Sequence, residues 1–234
     1  NTAFQLYCFD KELRLLILRE IEKLEIAVRA KMAYHCSHDF GVNWLIESKN
    51  FVNPVKHARG LARIASEVNQ SDAEFVRAFK KNYSDPVPPS WIALEVCSFG
   101  ALSKLFENLS DGSTKRKIAN YFGVADTVLI SWLHTLVYLR NVCAHHSRLW
   151  NRVMKIRPAH PRSPKYHWLR QKAIENNKSY FAFSIIQYLL KIVNPKSRFS
   201  EKLQNLLEEY PTVNVRDMGF VQEWTGEPLW SGKP

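Results

Sequence analysis

Residues 140 to 151 read RNVCAHHSRLWN and bring an arginine, an asparagine and two histidines close together. Arg140 keeps its charge at any working pH and can hold two phosphate oxygens with its planar guanidinium. A histidine side chain titrates near neutral pH, so His145 could take up and release a proton. Asn141 could donate to phosphate or orient the imidazole. These residue types suit cleavage of a phosphodiester that has a neighbouring 2′-hydroxyl.

Cleavage of that kind needs no metal ion. A base removes the 2′-hydroxyl proton, the oxygen attacks phosphorus, and a cation stabilises the extra negative charge of the transition state. One histidine and one arginine leave the site incomplete, because the departing 5′-oxygen also needs a proton donor. Two copies of the chain that meet at a two-fold axis would supply a second His145. The motif therefore also predicts a homodimer.

An arginine followed by a histidine at this spacing is a weak signal by itself, because short motifs recur by chance. Arg162 and His167 have the same spacing, but a proline between them excludes one regular helix. Arg29 and His35 fit a helix, but the arginine is followed by alanine, which gives no polar support. The motif that begins at Arg140 differs from both because asparagine follows its arginine.

The motif falls at the end of a predicted helix that begins near Asp126. Four polar residues stand at i, i+4, i+7 and i+11 on one face of it: His134, Tyr138, Asn141 and His145. The adjoining face carries Leu129, Leu133, Leu136 and Val137, so Arg140 stands at the edge between the apolar and polar sides. A cation in that place is normally paired, or it borders a cleft or an interface.

Two neighbours are supporting candidates. His146 is either a surface or supporting histidine or a direct participant, and Tyr138 is either a packing aromatic or a catalytic group. Adjacent histidines on a helix point about 100° apart, and the chain has no metal-ligand spacing such as H-E-x-x-H. We therefore expect no metal ion and no other cofactor.

The surroundings of the motif are basic. No Asp or Glu occurs from Thr127 to Ile174, and the formal net charge of the whole chain is +11. The lysines and arginines of this span are Arg140, Arg148, Arg152, Lys155, Arg157, Arg162, Lys165, Arg170 and Lys172. Such a field attracts polyanions, although a merely solvated face is the alternative. We expect RNA contacts first at Arg148 and Arg152, nearest the motif, and then at Lys155 and Arg157.

Apolar residues recur at helical spacing through most of the chain, and Gly and Pro separate the segments. The predicted helices lie at about 10–38, 54–70, 71–83, 91–109, 114–122, 126–146, 179–193 and 199–210. Asp10 and Ser90 are predicted N-caps, and Trp44 and Phe51 should anchor the loop after the first helix. Residues 212–216 could form a minor strand. Since no βαβ alternation occurs, the chain is predicted to be an all-α bundle.

The whole chain, residues 1–234, is predicted to form one domain with an irregular tail pinned by Phe220, Trp224 and Trp230. The four cysteines include no C-x-x-C pair, which favours the reducing cytoplasm over a disulfide framework. The chain shows no signal segment, and its longest apolar run is too short to span a bilayer. We therefore expect a cytoplasmic protein without membrane contact.

The motif and three further segments resemble the Abi-like proteins, the abortive-infection family typified by AbiF and AbiD, within the HEPN superfamily. The superfamily motif is an arginine, a polar residue, three variable residues and a histidine, which maps onto Arg140, Asn141 and His145. The family also tends to show the extra histidine, here His146. The three segments are LYCFDKELRLLILREIEKLEIAVR (6–29), DPVPPSWIALEVCSFGALSKLFENL (85–109) and MGFVQEWTGEPLW (218–230). A helical region that usually precedes the first segment is missing from this chain.

The resemblance implies a HEPN-type helical bundle, a homodimer with facing Arg–His motifs, and RNA cleavage that leaves 2′,3′-cyclic phosphate and 5′-hydroxyl ends. It also implies a part in phage defence or in a toxin–antitoxin system, with an antitoxin as a candidate partner. Similarity to the nuclease domains of RNA-guided, RNA-targeting CRISPR effectors makes a noncoding RNA a candidate regulator. The alternatives are a non-catalytic RNA-binding or interaction module and a DNA-binding regulator, although no short helix-turn-helix is visible.

Overall fold

The structure is a computed structural model that describes residues 2–171 and 174–231. The described residues form nine α-helices and no β-strand, which confirms the predicted all-α class. The helices are α1 (Thr2–Phe40), α2 (Pro54–Gln70), α3 (Glu74–Asn82), α4 (Ser90–Val96), α5 (Phe99–Asn108), α6 (Ser113–Tyr121), α7 (Asp126–Ala144), α8 (Ser179–Val193) and α9 (Phe199–Glu209).

The chain divides into two compact units that share helix α1. The first unit contains the residues up to Leu24 and those from Phe122 onward, and the second contains Glu25–Tyr121. The Arg–His motif lies wholly in the first unit. The description of the chain as one domain stays a prediction.

The core of the first unit is built by α1, α7 and α8. Its fully buried residues on α1 are Phe9, Leu13, Ile17, Ile21 and Leu24. Those on α7 are Leu129, Trp132, Leu133, Leu136 and Leu139. Full burial of one such side chain is worth roughly 1.5–3 kcal/mol relative to exposure. The apolar stripes therefore fix which face of α7 is turned inward and which face is left for the motif.

Helix α8 is buried on all sides from Ser179 to Leu190, but it has only 15 residues. In the part of the chain that the structure describes, no single helix has both the length and the apolar composition of a membrane span. Among the described helices, α6 and α7 reach that length and composition when they are counted together across the bend between them.

Helix α1 begins at Thr2 instead of Asp10, so the predicted N-cap is wrong. Asp10 lies inside the helix on its buried face, with 6% of its surface exposed. Glu20 lies on the same face and is paired with Lys23 at 2.5 Å. A buried carboxylate requires strong partners. Asp10 finds its partners in the loop that follows α7.

The tail after α9 is packed on α8, as predicted. The ring of Tyr180 lies 4.8, 6.4 and 6.0 Å from those of three buried tail residues, Phe220, Trp224 and Trp230. The predicted minor strand at 212–216 is wrong, because a turn there leads into the 3₁₀ segment Val215–Met218.

In the second unit, the fourth predicted helix is divided into α4 and α5 by a break at Cys97 and Ser98. The carboxylate of Glu67 accepts the Ser98 N–H at 2.9 Å and the Ser98 hydroxyl at 2.8 Å. Arg29 donates to the Cys97 carbonyl at 3.0 Å. These partners satisfy backbone groups that a continuous helix would have paired internally. The break in the helix therefore costs little folding free energy.

Local sequence signals account for most of the remaining structure of the second unit. Helix α2 has the predicted bounds, and the Asn53 side chain caps it by accepting the N–H of Lys56 at 2.9 Å. Trp44 and Phe51 are buried, as expected of loop anchors. Two expectations are wrong. Ser90 lies inside α4 instead of capping it and makes no capping hydrogen bond. The helix predicted at 71–83 begins only at residue 74.

Candidate active site at the end of helix α7

Helix α7 closes with a tight turn immediately after the motif. His145 is the C-cap, and its N–H donates to the Asn141 carbonyl at 3.0 Å. The N–H groups of the next two residues donate to the carbonyls of Cys143 and Val142, at 3.2 and 3.0 Å. This pair of bonds is the Schellman arrangement, in which the residue after the C-cap has a left-handed backbone. His146 occupies that position with a φ of 53°.

The left-handed backbone at His146 predicts an unusual tolerance of glycine. An L-residue there costs roughly 1–2 kcal/mol, although histidine accepts it more readily than most residues. Glycine removes that cost but loses more freedom on folding. We expect His146→Gly to be as stable as wild type, and His146→Val to be less stable by about 1–2 kcal/mol. Urea unfolding checks this, and a glycine variant less stable than the valine variant would contradict the assigned backbone.

Arg140 is half-buried on α7, whereas Asn141 and His145 are exposed. The one hydrogen bond of the Arg140 guanidinium in the described residues runs from Nη1 to Oδ1 of Asn141, at 3.4 Å. No carboxylate pairs with Arg140 in that part of the chain. Most of its N–H donors are therefore free to bind an anion. Two oxygens of a phosphate group match the spacing of two neighbouring guanidinium N–H donors. The motif is open to solvent and is not sealed in the core.

The four side chains predicted to share a face of α7 differ in exposure. His134 and Tyr138 are half-buried, and Asn141 and His145 are exposed. On the adjoining face the leucines at 129, 133 and 136 are fully buried, whereas Val137 is half-buried. The polar face therefore becomes accessible toward the C-terminal end of the helix, where the motif lies. The catalytic roles of these residues stay predictions.

Arg152 is tied by hydrogen bonds to the motif helix and to the backbone just after it. Its Nη1 donates to the Tyr138 hydroxyl at 3.2 Å, and its Nε donates to the Arg148 carbonyl at 2.6 Å. Arg148, Lys155 and Arg157 are exposed, and none of them forms an ion pair among the residues that the structure describes. The structure therefore brings Arg148 and Arg152 to the end of α7. No hydrogen bond in the described ranges joins Lys155 or Arg157 to the motif.

Asp10 is a residue of this site that the sequence analysis missed. One of its carboxylate oxygens accepts the backbone N–H groups of Leu149 and Trp150, at 2.8 and 2.6 Å. The other oxygen pairs with Arg14. The loop that follows the motif is thereby fixed to α1. The signal was the place of Asp10 on an apolar stripe, where a carboxylate needs a specific partner.

The proline-rich segment farther along the basic span is held against α7. Trp132 Nε1 donates to the Ala159 carbonyl at 2.9 Å, and the Ala159 N–H donates to the Ser131 hydroxyl at 2.8 Å. The ring of Trp168 stacks on that of Trp132 with centroids 5.2 Å apart. This part of the basic span therefore lies on the body of the first unit.

Neither a metal cluster nor a reactive thiol is evident at the motif. Across residues 2–171 and 174–231, no three His, Cys, Asp or Glu side chains are grouped so that they could hold a metal ion. Independence from metal stays a prediction. Cys143 lies within the motif, but burial raises the pKa of its thiol to about 12. The thiol is therefore protonated at neutral pH and unsuited to nucleophilic attack.

The buried thiols predict the order in which the cysteines react. Burial raises the pKa of the Cys36 and Cys97 thiols to about 12, as it does for Cys143. Cys8 is only half-buried. We expect iodoacetamide to modify Cys8 first in the native protein and the other three only after unfolding, as mass spectrometry can show. Faster labelling of Cys143 than of Cys8 would mean that the end of α7 opens in solution.

The part of the chain up to and including the motif matches a known protein family. The family, described as Abi-like protein, matches residues 1–151. Because this match covers more than half of the sequence, the chain belongs to the Abi-like protein family. The family suggests a role in abortive infection, a form of phage defence.

The other comparisons leave the finer expectations open. No curated protein and no solved structure matches the chain. Membership of the HEPN superfamily therefore stays a prediction. The family match ends at residue 151, so the resemblance of the terminal segment 218–230 also stays a prediction.

Proposed function

We propose that this Abi-like protein is a metal-independent endoribonuclease whose active site contains Arg140, Asn141 and His145. The observation that carries the proposal is the half-buried Arg140 guanidinium, which has no carboxylate partner among the described residues. Asn141 and His145 are exposed beside it at the end of the same helix. A phosphate oxygen is the acceptor that such a guanidinium lacks.

The proposed reaction is a transesterification. His145 accepts the proton of the 2′-hydroxyl, the 2′-oxygen forms a bond to phosphorus, and the bond from phosphorus to the 5′-oxygen breaks. Arg140 donates to the non-bridging oxygens, whose negative charge grows in the transition state. Asn141 donates to the phosphate or orients the imidazole. The products are a 2′,3′-cyclic phosphate and, once the leaving oxygen has gained a proton, a 5′-hydroxyl.

The proton for the leaving oxygen is proposed to come from a second copy of the chain. Two motifs that face each other across a two-fold axis would supply a second His145 as the acid and a second Arg140 for the phosphate. Light scattering at micromolar concentration should then report a dimer. A protein that is monomeric at this concentration and still cleaves RNA with undiminished activity would exclude an active site shared by two subunits.

The cations that follow the motif are proposed to hold the RNA backbone. Arg148, Lys155 and Arg157 are exposed without ion pairs in the described residues. Arg152 is held beside α7 by the Tyr138 hydroxyl. Contacts of this kind bind any sequence and weaken as salt increases, because the phosphates release condensed counterions.

RNA cleavage would serve abortive infection by stopping the growth of the infected cell. We propose that the enzyme acts in the cytoplasm, within a phage-defence or toxin–antitoxin system, and that an antitoxin or a noncoding RNA regulates it. The alternative is a non-catalytic RNA-binding module with the same fold and charge.

Cleavage and binding of one single-stranded RNA, measured in EDTA, separate the two functions. Wild-type protein is expected to cut the RNA, and His145→Ala protein is expected to bind it without cutting. Binding by both proteins without cleavage by either would favour the non-catalytic module. Cleavage that disappears in EDTA would refute the metal-independent mechanism.

A further inference from the structure

A pocket of about 340 Å³ lies in the second unit between α2 and α5. Its buried lining is mostly apolar and includes Ile64, Leu105 and the ring of His57. The His57 ring stacks on Phe51 with centroids 4.2 Å apart, and its Nε2 donates to the Leu45 carbonyl at 2.7 Å. These contacts fix the floor of the pocket, whose volume is within the range of small-ligand sites.

Four exposed cations line the same pocket, namely Lys56, Arg59, Arg63 and Lys104. Lys56 pairs at 3.3 Å with Glu107, the one acid among the pocket's described lining residues. Arg63 pairs with a glutamate outside the lining at 2.9 Å. Arg59 and Lys104 have no hydrogen-bond or ion-pair partner in the parts of the chain that the structure describes. An excess of positive charge around an apolar concave floor favours a ligand with both an anionic group and a flat apolar part.

Gly60 lies within α2 and keeps the pocket open. No heavy atom lies within 4 Å of the position that a Cβ would take at Gly60. Glycine inside a helix is destabilising relative to alanine, so helix formation does not account for it. A Cβ at this position would meet no neighbour, and a larger side chain would extend into the space of the pocket that Gly60 lines.

We propose that this pocket binds a nucleoside phosphate, with the phosphate against Arg59 and Lys104 and the base over the apolar floor. Two cations without a partner in the described residues match the charge of a phosphate monoester. The aliphatic and imidazole groups of the pocket floor would cover one face of a base. An inorganic anion alone would leave these apolar groups in contact with water. The ligand is either a free nucleotide or the 5′-phosphorylated end of an RNA. The inference does not rest on the proposed cleavage, because the pocket and the motif belong to different units.

Calorimetric titration of the full chain with adenosine 5′-monophosphate, adenosine and inorganic phosphate tests the ligand class. The monophosphate should bind at one saturable site, and adenosine and phosphate should each bind at least about 10-fold more weakly. Gly60→Leu should weaken binding of the monophosphate at least about 10-fold by filling the pocket. Gly60→Ala is the matched control and should keep the wild-type affinity, because one methyl group leaves most of the volume free.

Two double variants that remove positive charges test the same pocket if Gly60→Leu fails to fold. The double variant Arg59→Gln with Lys104→Gln should weaken binding of the monophosphate about 100-fold, roughly 10-fold for each charge-assisted hydrogen bond. The control is Arg77→Gln with Lys81→Gln, which removes two exposed cations of α3 that do not line the pocket. No saturable binding, equal affinity for the monophosphate and inorganic phosphate, or equal effects of the two double variants would overturn the proposal.

Competition against bound monophosphate identifies the source of the ligand. His145→Ala protein is used so that RNA stays intact, and short RNAs with either a 5′-phosphate or a 5′-hydroxyl are added. Competition by the phosphorylated RNA alone assigns the pocket to an RNA end, and competition by neither assigns it to a free nucleotide. Equal competition by both RNAs would overturn recognition of a terminal phosphate. Because only binding is measured, the result is independent of whether the wild type cleaves RNA.

Discussion

Replacing His145 by alanine is expected to lower the rate of RNA cleavage by about 10²–10⁴-fold, the usual loss when a general base is removed. The His145 side chain is exposed and makes no hydrogen bond in the described part of the chain, and only its backbone N–H closes α7. The substitution therefore removes the proton acceptor without removing a contact of the fold. The free energy of unfolding should change by less than about 0.5 kcal/mol. Single-turnover rates in EDTA and urea unfolding measure the two effects.

Matched variants make the His145 result specific. Arg140→Ala should also lower the cleavage rate by about 10²–10³-fold. Arg140→Lys should restore only part of the lost rate, because an ammonium group cannot form the bidentate contact with phosphate. His38→Ala removes an exposed histidine from the last turn of α1 and should cleave at the wild-type rate. Equal rates for wild type and His145→Ala would remove His145 from the mechanism.

Replacing Asp10 by alanine is expected to destabilise the first unit by about 3–5 kcal/mol, the range for removing one partner of a buried ion pair. The change leaves the N–H groups of Leu149 and Trp150 without their acceptor and Arg14 without its partner. Asp10→Asn keeps one acceptor oxygen and should cost less. Cleavage should also slow in both variants, because the loop that Asp10 holds follows the motif directly. Urea unfolding and single-turnover rates give both quantities.

The control for Asp10 is a carboxylate with only a local contact. Asp126 accepts the N–H of Thr127 at 2.8 Å in the first turn of α7. Asp126→Ala should cost no more than about 1 kcal/mol, the usual value of an acid near a helix N-terminus. Equal losses for Asp10→Ala and Asp126→Ala would show that the loop does not depend on the buried carboxylate.

The fold could be predicted from the sequence where its causes are local. Helices α2 and α8 have the predicted bounds, because a capping asparagine with a following proline and a continuous apolar run are visible in the sequence. The break between α4 and α5 could not be predicted, since Glu67, which binds Ser98, lies 31 positions away. The start of α1 was placed too late because Asp10 has the residue type of an N-cap, and only its burial shows another role.

The sequence was enough to predict the residues of the candidate site, but not the contacts and backbone conformation that hold them in place. The spacing of Arg140 and His145 indicated one helix end, and the structure places both there. The contact that fixes the next loop joins Asp10 to Leu149 across 139 positions, so no local pattern could reveal it. The left-handed backbone at His146 was also hidden, because glycine is the residue that usually signals it. The absence of acids around the motif was visible in the sequence, and it agrees with an Arg140 that has no carboxylate partner in the described residues.

The chemical ends of the RNA products test the central claim most directly. A defined RNA is incubated with the wild-type protein in EDTA, and the products are analysed by mass spectrometry. The mechanism at Arg140 and His145 predicts a 2′,3′-cyclic phosphate on one product and a 5′-hydroxyl on the other, with no cleavage where the 2′-hydroxyl has been replaced by hydrogen. Products with 5′-phosphate ends, or cleavage of the 2′-deoxy position, would contradict it.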